Sequence, residues 1–442
     1  MTTLRARAGA LLPILLGLAF APTAQAEELR QNVPAQSLTV ARIARLPEPQ
    51  RDAWAAYLDR SHAQALLDRA TLTAELPAGS TVPPPPLAVG GSQGNMPLDR
   101  EDAWYGTPEA RAVADAIVSF QTPAGGWSKN QDRRIARLPG QRYSNDAETM
   151  ELNPQNFDAP VDRFWTFVGT LDNGATTTEM RFLAKVAGHY PGAEGDAWRA
   201  SIIKGVRYLL NAQYPNGGWP QIWPVEGGFH DAVTFNDNAV AEAAMLLEDV
   251  VENENGFDFV PGDLKALAVD AVRHGVEVIL AAQVRVDGEL TAWPQQVDPL
   301  TLAPSSARNY EPQSIASGET TDILLFLMRQ PDPSPAVQTA VRAAIAWLES
   351  KRLYDHSFEM TDDGRKLIER AGAGPLWSRN YDLVTGLPIF GDKNQMIYDD
   401  VNEISIGRRN GYSWWINSPQ KALDAYVAWN AANPAQAGAP TT

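Results

Sequence analysis

Cysteine is absent from all 442 residues, and histidine occurs only five times. The first absence removes disulfides, thiolate metal sites and a cysteine nucleophile together, so any bound metal must rest on oxygen or histidine ligands. Positive charge is also scarce, with Lys and Arg numbering 37 against 53 Asp and Glu, for a net charge of -16. A chain this acidic repels polyanions, which argues against nucleic acid as a partner. An acidic polymer could be held only where cations are concentrated locally, as clustered Arg and Lys or as a bound divalent metal. After residue 26 no stretch is apolar enough to span a bilayer.

The first 26 residues read as a signal peptide: Arg5 and Arg7 form a basic start, Ala8 to Ala21 an apolar run, and Ala24-Gln25-Ala26 a small-x-small cleavage site. The expected product is secreted or periplasmic, free of the membrane after cleavage, with a net charge of -18 once the two arginines are gone. Residues 27–76 read as a small helical segment, with Trp54, Tyr57 and Leu58, then Ala65, Leu66 and Leu72, at helical spacing. Residues 77–95 contain Pro83 to Pro86 and Gly90-Gly91 and read as a linker, with a main domain over 96–433 and a disordered tail over 434–442.

Within the main domain an apolar helix ends in Gln and meets a Gly-Trp turn. Ile117 to Gln121 leads to Gly125-Gly126-Trp127, and Tyr208 to Gln213 leads to Gly217-Gly218-Trp219. A looser copy runs from Val278 to Gln283 and reaches Trp293-Pro294. Such self-similarity signals helical hairpins that bury their faces against neighbours. The tryptophans read as pins for helix ends ahead of substrate contacts. Few stretches alternate with period two, so the expected class is all-α, a partial (α/α) toroid of helical hairpins with functional loops at one end.

Two loop-to-helix junctions carry the chemistry. Asp172-Asn173 precedes Thr176 and Glu179, a capping box that assigns Glu179 to the helix start. In Thr234-Phe235-Asn236-Asp237-Asn238, Thr234 can cap with Asp237 three residues on. Together the junctions offer hard oxygen ligands of the kind calcium takes, although neither completes an EF-hand loop. Cations recur in aromatic, glycine-containing loops: Lys129, Arg308, Arg379, Lys393 and the pair Arg408-Arg409. Singly these are solvated surface charges; clustered, they make a cleft for carboxylates, which arginine meets with two parallel hydrogen bonds.

From Asp102 to Trp415 the chain resembles the all-helical pectate lyases, polysaccharide lyase family 10. The resemblance rests on GGWSKN (125–130), DNGATTTEM (172–180), NAQYPNGGWPQ (211–221), TFNDNAV (234–240), TAWPQQ (291–296), ARNYEP (307–312), PLWSRNYDL (375–383) and GRRNGYSW (407–414). It implies calcium-dependent β-elimination on polygalacturonate, with Asp172, Asn173 and Asp237 around calcium and Arg308 as the base. It further implies that Arg379, Lys393 and Arg408 bind substrate carboxylates, with Lys129 beside them in the substrate site, in a protein expected to be monomeric. At Lys393 the family commonly has arginine; lysine keeps the charge and loses the fork. Two other readings of the same residues stand beside this one: a glycoside hydrolase using Asp172 and Asp237 as its carboxyl pair, and a non-catalytic polysaccharide-binding protein on the same scaffold. A terpene cyclase would need an Asp-rich motif that the chain does not present.

Overall fold

The computed structural model describes residues 30–89, 96–145, 156–158, 165 and 167–434. The expected signal peptide, part of the linker and all but the first residue of the tail lie outside them. Eleven α-helices occur among the described residues: α1 Val40–Ile43, α2 Gln50–Ala74, α3 Pro108–Ser119, α4 Thr177–His189, α5 Asp196–Ala212, α6 Ala239–Glu252, α7 Gly262–Ala281, α8 Ser317–Arg329, α9 Pro335–Ser350, α10 Ile406–Asn410 and α11 Pro419–Ala432. The starts follow local chemistry. Thr107 and Ser334 accept hydrogen bonds at the caps of α3 and α9, and each is followed by proline at the first helical position. Glu179 Oε2 accepts from Thr176 N at 2.8 Å, as the expected capping box requires. Thr234 does not cap; it sits in the two-residue strand Val233–Thr234, paired with Gln296–Val297, and its hydroxyl donates to Ala232 O at 3.0 Å. A 3-10 turn, Asn236–Asn238, separates it from α6.

Eight of the long helices pack in two rows. One contains α3, α5, α7 and α9, each against the next, and the other contains α4, α6, α8 and α11. The Gln-to-Trp pattern is the joint between them. A helix end leaves carbonyls without intrahelical donors, and here indole N–H groups supply donors: Trp127 Nε1 to Ile117 O at 2.7 Å, Trp219 Nε1 to Leu209 O at 2.8 Å and Trp293 Nε1 to Ile279 O at 2.7 Å. The glutamines extend each joint sideways. Gln121 Nε2 donates to Gly125 O and to Ser201 O in α5; Gln213 Nε2 to Gly217 O and to Ala271 O in α7; Gln283 Nε2 to Thr291 O and to Ala340 O in α9. A fourth joint has no glutamine and joins Trp377 Nε1 to Leu348 O at 2.7 Å. All four indoles are fully buried in one core cluster.

The sheets are small. The longest strands form the hairpin His356–Thr361 with Gly364–Glu369, inserted between α9 and Trp377. The sequence reading assigned no strands there, and the alternation is weak because both faces are only partly buried. Three strands, Arg30–Gln31, Met396–Tyr398 and Phe390–Gly391, form a further antiparallel sheet. The described part of segment 27–76 contributes Trp54, Tyr57 and Leu58 to the same core cluster as the long helices. Tyr57 O–H caps another helix end, donating to Ala212 O at 2.9 Å. Leu66, expected on the inner face, is 71% exposed, and Asp68 is buried instead, hydrogen-bonded by Gln64 at 2.7 Å.

Because Gln213 satisfies two carbonyls, Gly217 O in the turn and Ala271 O in α7, Gln213→Ala is expected to destabilise the protein by about 2 kcal/mol. The urea unfolding midpoint is the measurement; an unchanged midpoint would show that water replaces both bonds without loss.

Candidate active site

Each joint delivers the residue two positions after its tryptophan to one place. Those residues are Lys129, Gln221, Gln295 and Arg379. Lys129, Gln221 and Arg379 line a cavity of about 180 Å³ together with Asp172, Asn173, Asp237, Arg308, Glu311 and Tyr412. Gln295 stands behind it, its Nε2 donating to Tyr412 Oη at 3.0 Å. Six of the expected site residues therefore meet: Lys129, Asp172, Asn173, Asp237, Arg308 and Arg379. Lys393 and Arg408 are not among the lining residues. Lys393 is exposed on the turn between two strands. Arg408 is 8% exposed, stacks on Tyr310 with its guanidinium carbon 3.9 Å from the ring centroid, and donates to Gly411 O at 2.6 Å.

The acidic junctions face one another. The 3-10 turns Asp172–Gly174 and Asn236–Asn238 contact each other, and Asn173, Asp237 and Asn238 take positive φ of 54°, 51° and 61°. Asn and Asp tolerate that region. Thr176, with φ 69°, does not share the tolerance, and such backbone strain persists where the surroundings over-determine it; its hydroxyl donates to Thr170 O at 2.7 Å and accepts from Trp127 N at 3.0 Å.

Asp172 and Asp237 both line the cavity, close enough for the charge of each to act on the other. Burial works to raise Asp172, but the Lys129 ammonium and Arg308 hold it well below the usual carboxylate range. Desolvation in the cleft and the charge of Asp172 push Asp237 up, although Asp237 is itself open to solvent. The Lys129 ammonium also lies 3.6 Å from the centroid of Phe167.

Both cavity arginines have internal partners that the sequence reading did not single out. Arg308 Nε and Nη2 donate to Glu311 at 2.8 and 2.6 Å, leaving Nη1 outside the fork. Arg379 Nη2 donates to Glu319 at 2.7 Å and to Asn236 Oδ1 at 2.8 Å. Burial disfavours the charge of each arginine, but the carboxylates outweigh it and raise both above the ordinary value. Around Arg308 the charge of Glu311 therefore prevails. Glu311 is 2% exposed; burial would raise it, yet Arg308, Arg379 and the Tyr412 hydroxyl, donating at 2.8 Å, hold it at about 2. His230 is buried against Phe229 and Phe167, and burial together with the Lys129 charge pushes it down to about 3, so it is neutral at physiological pH. Among the described residues no three His, Cys, Asp or Glu side chains are grouped to hold a metal. Gln221, also on the cavity and only 5% exposed, has a buried Oε1 without a protein partner.

With this geometry described, comparison with known proteins defines the class. The family model described as pectic acid lyase matches residues 121–423. The family 10 polysaccharide lyase from Cellvibrio cellulosa is similar at 31% identity and a TM-score of 0.62, over 76% of this chain and 98% of its own. An aspartate-to-alanine mutant of the Cellvibrio cellulosa enzyme, in complex with trigalacturonic acid, is similar at 30% identity and the same TM-score and coverage. Comparison with curated proteins gives no match. The chain belongs to the pectic acid lyase family, as an enzyme of the pectate lyase class with a helical fold.

The depressed Glu311 makes a signed prediction. Its stabilising contribution is complete above its ordinary value of 4.5 and is lost as pH falls through the folded value of about 2. Glu311→Gln is expected to cost about 3 kcal/mol at neutral pH. The difference from the parent should shrink as pH falls below 4.5, measured as denaturant midpoints across that range; a difference independent of pH would place the stabilisation elsewhere.

Proposed function

We propose that the enzyme cleaves α-1,4-polygalacturonate by calcium-assisted β-elimination and leaves 4,5-unsaturated oligogalacturonates. The observation that carries the reading is the meeting of Lys129, Asp172, Asn173, Asp237, Arg308 and Arg379 on one cavity. The trigalacturonic acid bound to the similar mutant lyase supports a polygalacturonate substrate.

The donor set fits a hard divalent cation. Two carboxyls, the Asn173 amide and the unpartnered Gln221 amide oxygen are all hard oxygen donors on residues of one cavity. Asp172, Asn173 and Asp237 would hold the cation, with Gln221 beside them and substrate carboxylate completing a shell the protein leaves short. When bound, calcium supplies positive charge that stabilises the carbanion-like charge developing at C5 and its carboxylate. It would also change the sign of the cleft. Three cations, Lys129, Arg308 and Arg379, are balanced by three carboxylates, Asp172, Glu311 and Glu319, so the protein alone offers a polyanion no net positive charge.

Arg308 takes the C5 proton of the unit on the reducing-end side of the scissile bond. The C–H electron pair becomes the C4–C5 double bond, the C4–O bond breaks and the leaving oxygen takes a proton from solvent water, while Arg308 returns its proton to solvent. Glu311 orients the guanidinium through Nε and Nη2, which leaves Nη1 for this role. Arg379 meets a substrate carboxylate, the exposed Lys393 belongs to an outer subsite that a longer chain would reach, and Arg408, buried against Tyr310, acts on substrate carboxylates through its charge. The hydrolase reading needs water or a sugar ring between two separated carboxyls, whereas the turns that carry Asp172 and Asp237 contact each other. The proposal includes secretion by way of residues 1–26, a catalytic unit over 96–433, a partial toroid built from the two helix rows, and a monomer. No described helix is long and apolar enough to cross a membrane.

Digestion of polygalacturonate, followed by the ultraviolet absorbance of unsaturated uronate, tests the reading. Excess chelator should abolish turnover and added calcium restore it; undiminished turnover in chelator would exclude calcium, and chain shortening without absorbance would mean hydrolysis. Arg308→Lys should still fold and bind oligogalacturonate while losing about 10²–10⁴-fold in rate. Because the parent arginine is held charged, its neutral fraction and the rate should rise about tenfold per pH unit on the alkaline side. A lysine variant with most of its rate and the same profile would place the base elsewhere.

A further inference from the structure

Residues 30–33 precede the stretch matched by the family model, yet they reach the candidate active site. Arg30–Gln31 is the outer strand of the three-stranded sheet, with Arg30 opposite Ile397 and Gln31 opposite Met396. The next strand pair, Phe390–Gly391 with Met396–Tyr398, is joined by the turn that carries Lys393. Asn32 continues the ladder, its N–H donating to Gln395 O in that turn at 2.7 Å. Its side chain goes the other way. Nδ2 donates to Arg308 O at 3.2 Å and to Asn309 O at 3.0 Å, the carbonyls of two successive residues in the loop that holds Arg308. One residue later, Val33 O accepts from Ser306 Oγ in the same loop. At the outer end, Arg30 pairs with Asp382 and Asp399, each at 2.5 Å.

Four residues therefore tie the Arg308 loop to the Lys393 turn. Two adjacent carbonyls aimed at one point repel each other, and the two N–H groups of a primary amide answer both from a single atom. Asn32 is 5% exposed, so water does not readily replace it. The tie acts on backbone and not on the core: Arg30, Gln31 and Val33 are exposed, and none of the four residues belongs to a hydrophobic cluster. From below, the loop rests on the cluster of Tyr310, Phe390, Val401, Ile404 and Trp414, and Gln395 of the turn also reaches it directly, its Nε2 donating to Asn309 Oδ1 at 3.3 Å.

We propose that Asn32 is a positioning residue, and that the strap Arg30–Val33 sets where the Arg308 guanidinium stands over the cavity relative to the Lys393 turn. The inference rests on the reading of Arg308 as the base. A reacting group displaced by about 1 Å loses about a hundredfold in rate while the remaining contacts still bind substrate. The strap is expected to govern kcat far more than KM or stability.

Asn32→Asp tests this, because it keeps the shape and replaces the NH2 donor with a carboxylate oxygen that repels the two carbonyls. With polygalacturonate and saturating calcium, kcat should fall by about tenfold to a hundredfold, with KM changed by no more than about twofold and the melting temperature lowered by only a few degrees. Arg30→Gln, which cuts the exposed anchor and leaves the buried amide, should lower kcat less and in the same direction, and it decides the matter if Asn32→Asp does not fold. A kcat equal to the parent's in the variant that folds, or a loss seen only in melting temperature, overturns the proposal. Arg308→Lys, measured alongside, separates the two readings: if it is inactive while the strap variants keep full kcat, only the strap inference falls, and if it keeps its rate, the base assignment falls first.

Discussion

The hydrogen bond from a buried indole N–H to a carbonyl in the last turn of a helix is the constraint on which this molecule is assembled. A helix end inside a protein needs donors for carbonyls that its own turns cannot satisfy. Tryptophan supplies one from a side chain large enough to fill the gap between helix rows at the same time. The glutamine just before each of three turns then bonds to the next helix of its row, so that one pair of side chains closes a turn and sets the spacing of its neighbour. The site inherits its precision from this arrangement. Two residues beyond each tryptophan the chain has had little freedom to wander, and Lys129, Gln221 and Arg379 stand on one cavity because their tryptophans do not move.

The chemistry is held in internal ion pairs. Lys129 with Asp172, Arg308 with Glu311 and Arg379 with Glu319 each desolvate two charges, which contributes little to stability but is strongly unfavourable to undo one partner at a time. Tyr412 links them, donating to Glu311, accepting from Gln295 and lying with its ring centroid 4.6 Å from the Arg379 guanidinium carbon. The cleft is preorganised in the sense that its cations already sit opposite carboxylates before any substrate carboxylate arrives.

Much of this was legible in the sequence where the interaction is local. Gln121 to Trp127 and Gln213 to Trp219 span a single turn, so their recurrence marks the hairpins directly. The Thr176–Glu179 box is local too. What escaped depends on distance along the chain. Glu319 is 60 residues from Arg379, and nothing in its own helix distinguishes it from an ordinary first-turn acid. Glu311 stands three residues from Arg308 in a string quoted for its resemblance, but its burial, which makes it a counterion and not a surface charge, comes from packing around Tyr412. Arg408 and Lys393 look alike as cations in glycine-containing loops, and only the tertiary structure puts one beneath Tyr310 and the other in solvent. Thr234 has the spacing of a cap, and pairing with Gln296 overrides it.

The fourth joint escaped for a different reason: 29 residues separate Leu348 from Trp377, and the hairpin His356–Thr361 with Gly364–Glu369 occupies the interval. The bond between them makes the interval a closed bypass. The entropy of closing a longer loop grows only logarithmically with its length, so chain can be added or removed there while Trp377 keeps Arg379 at its post. That makes the bypass a natural place for lineages to lengthen, decorate or trim the rim of the cleft, exploring new polymer surfaces at the edge while the chemistry at the centre goes on undisturbed.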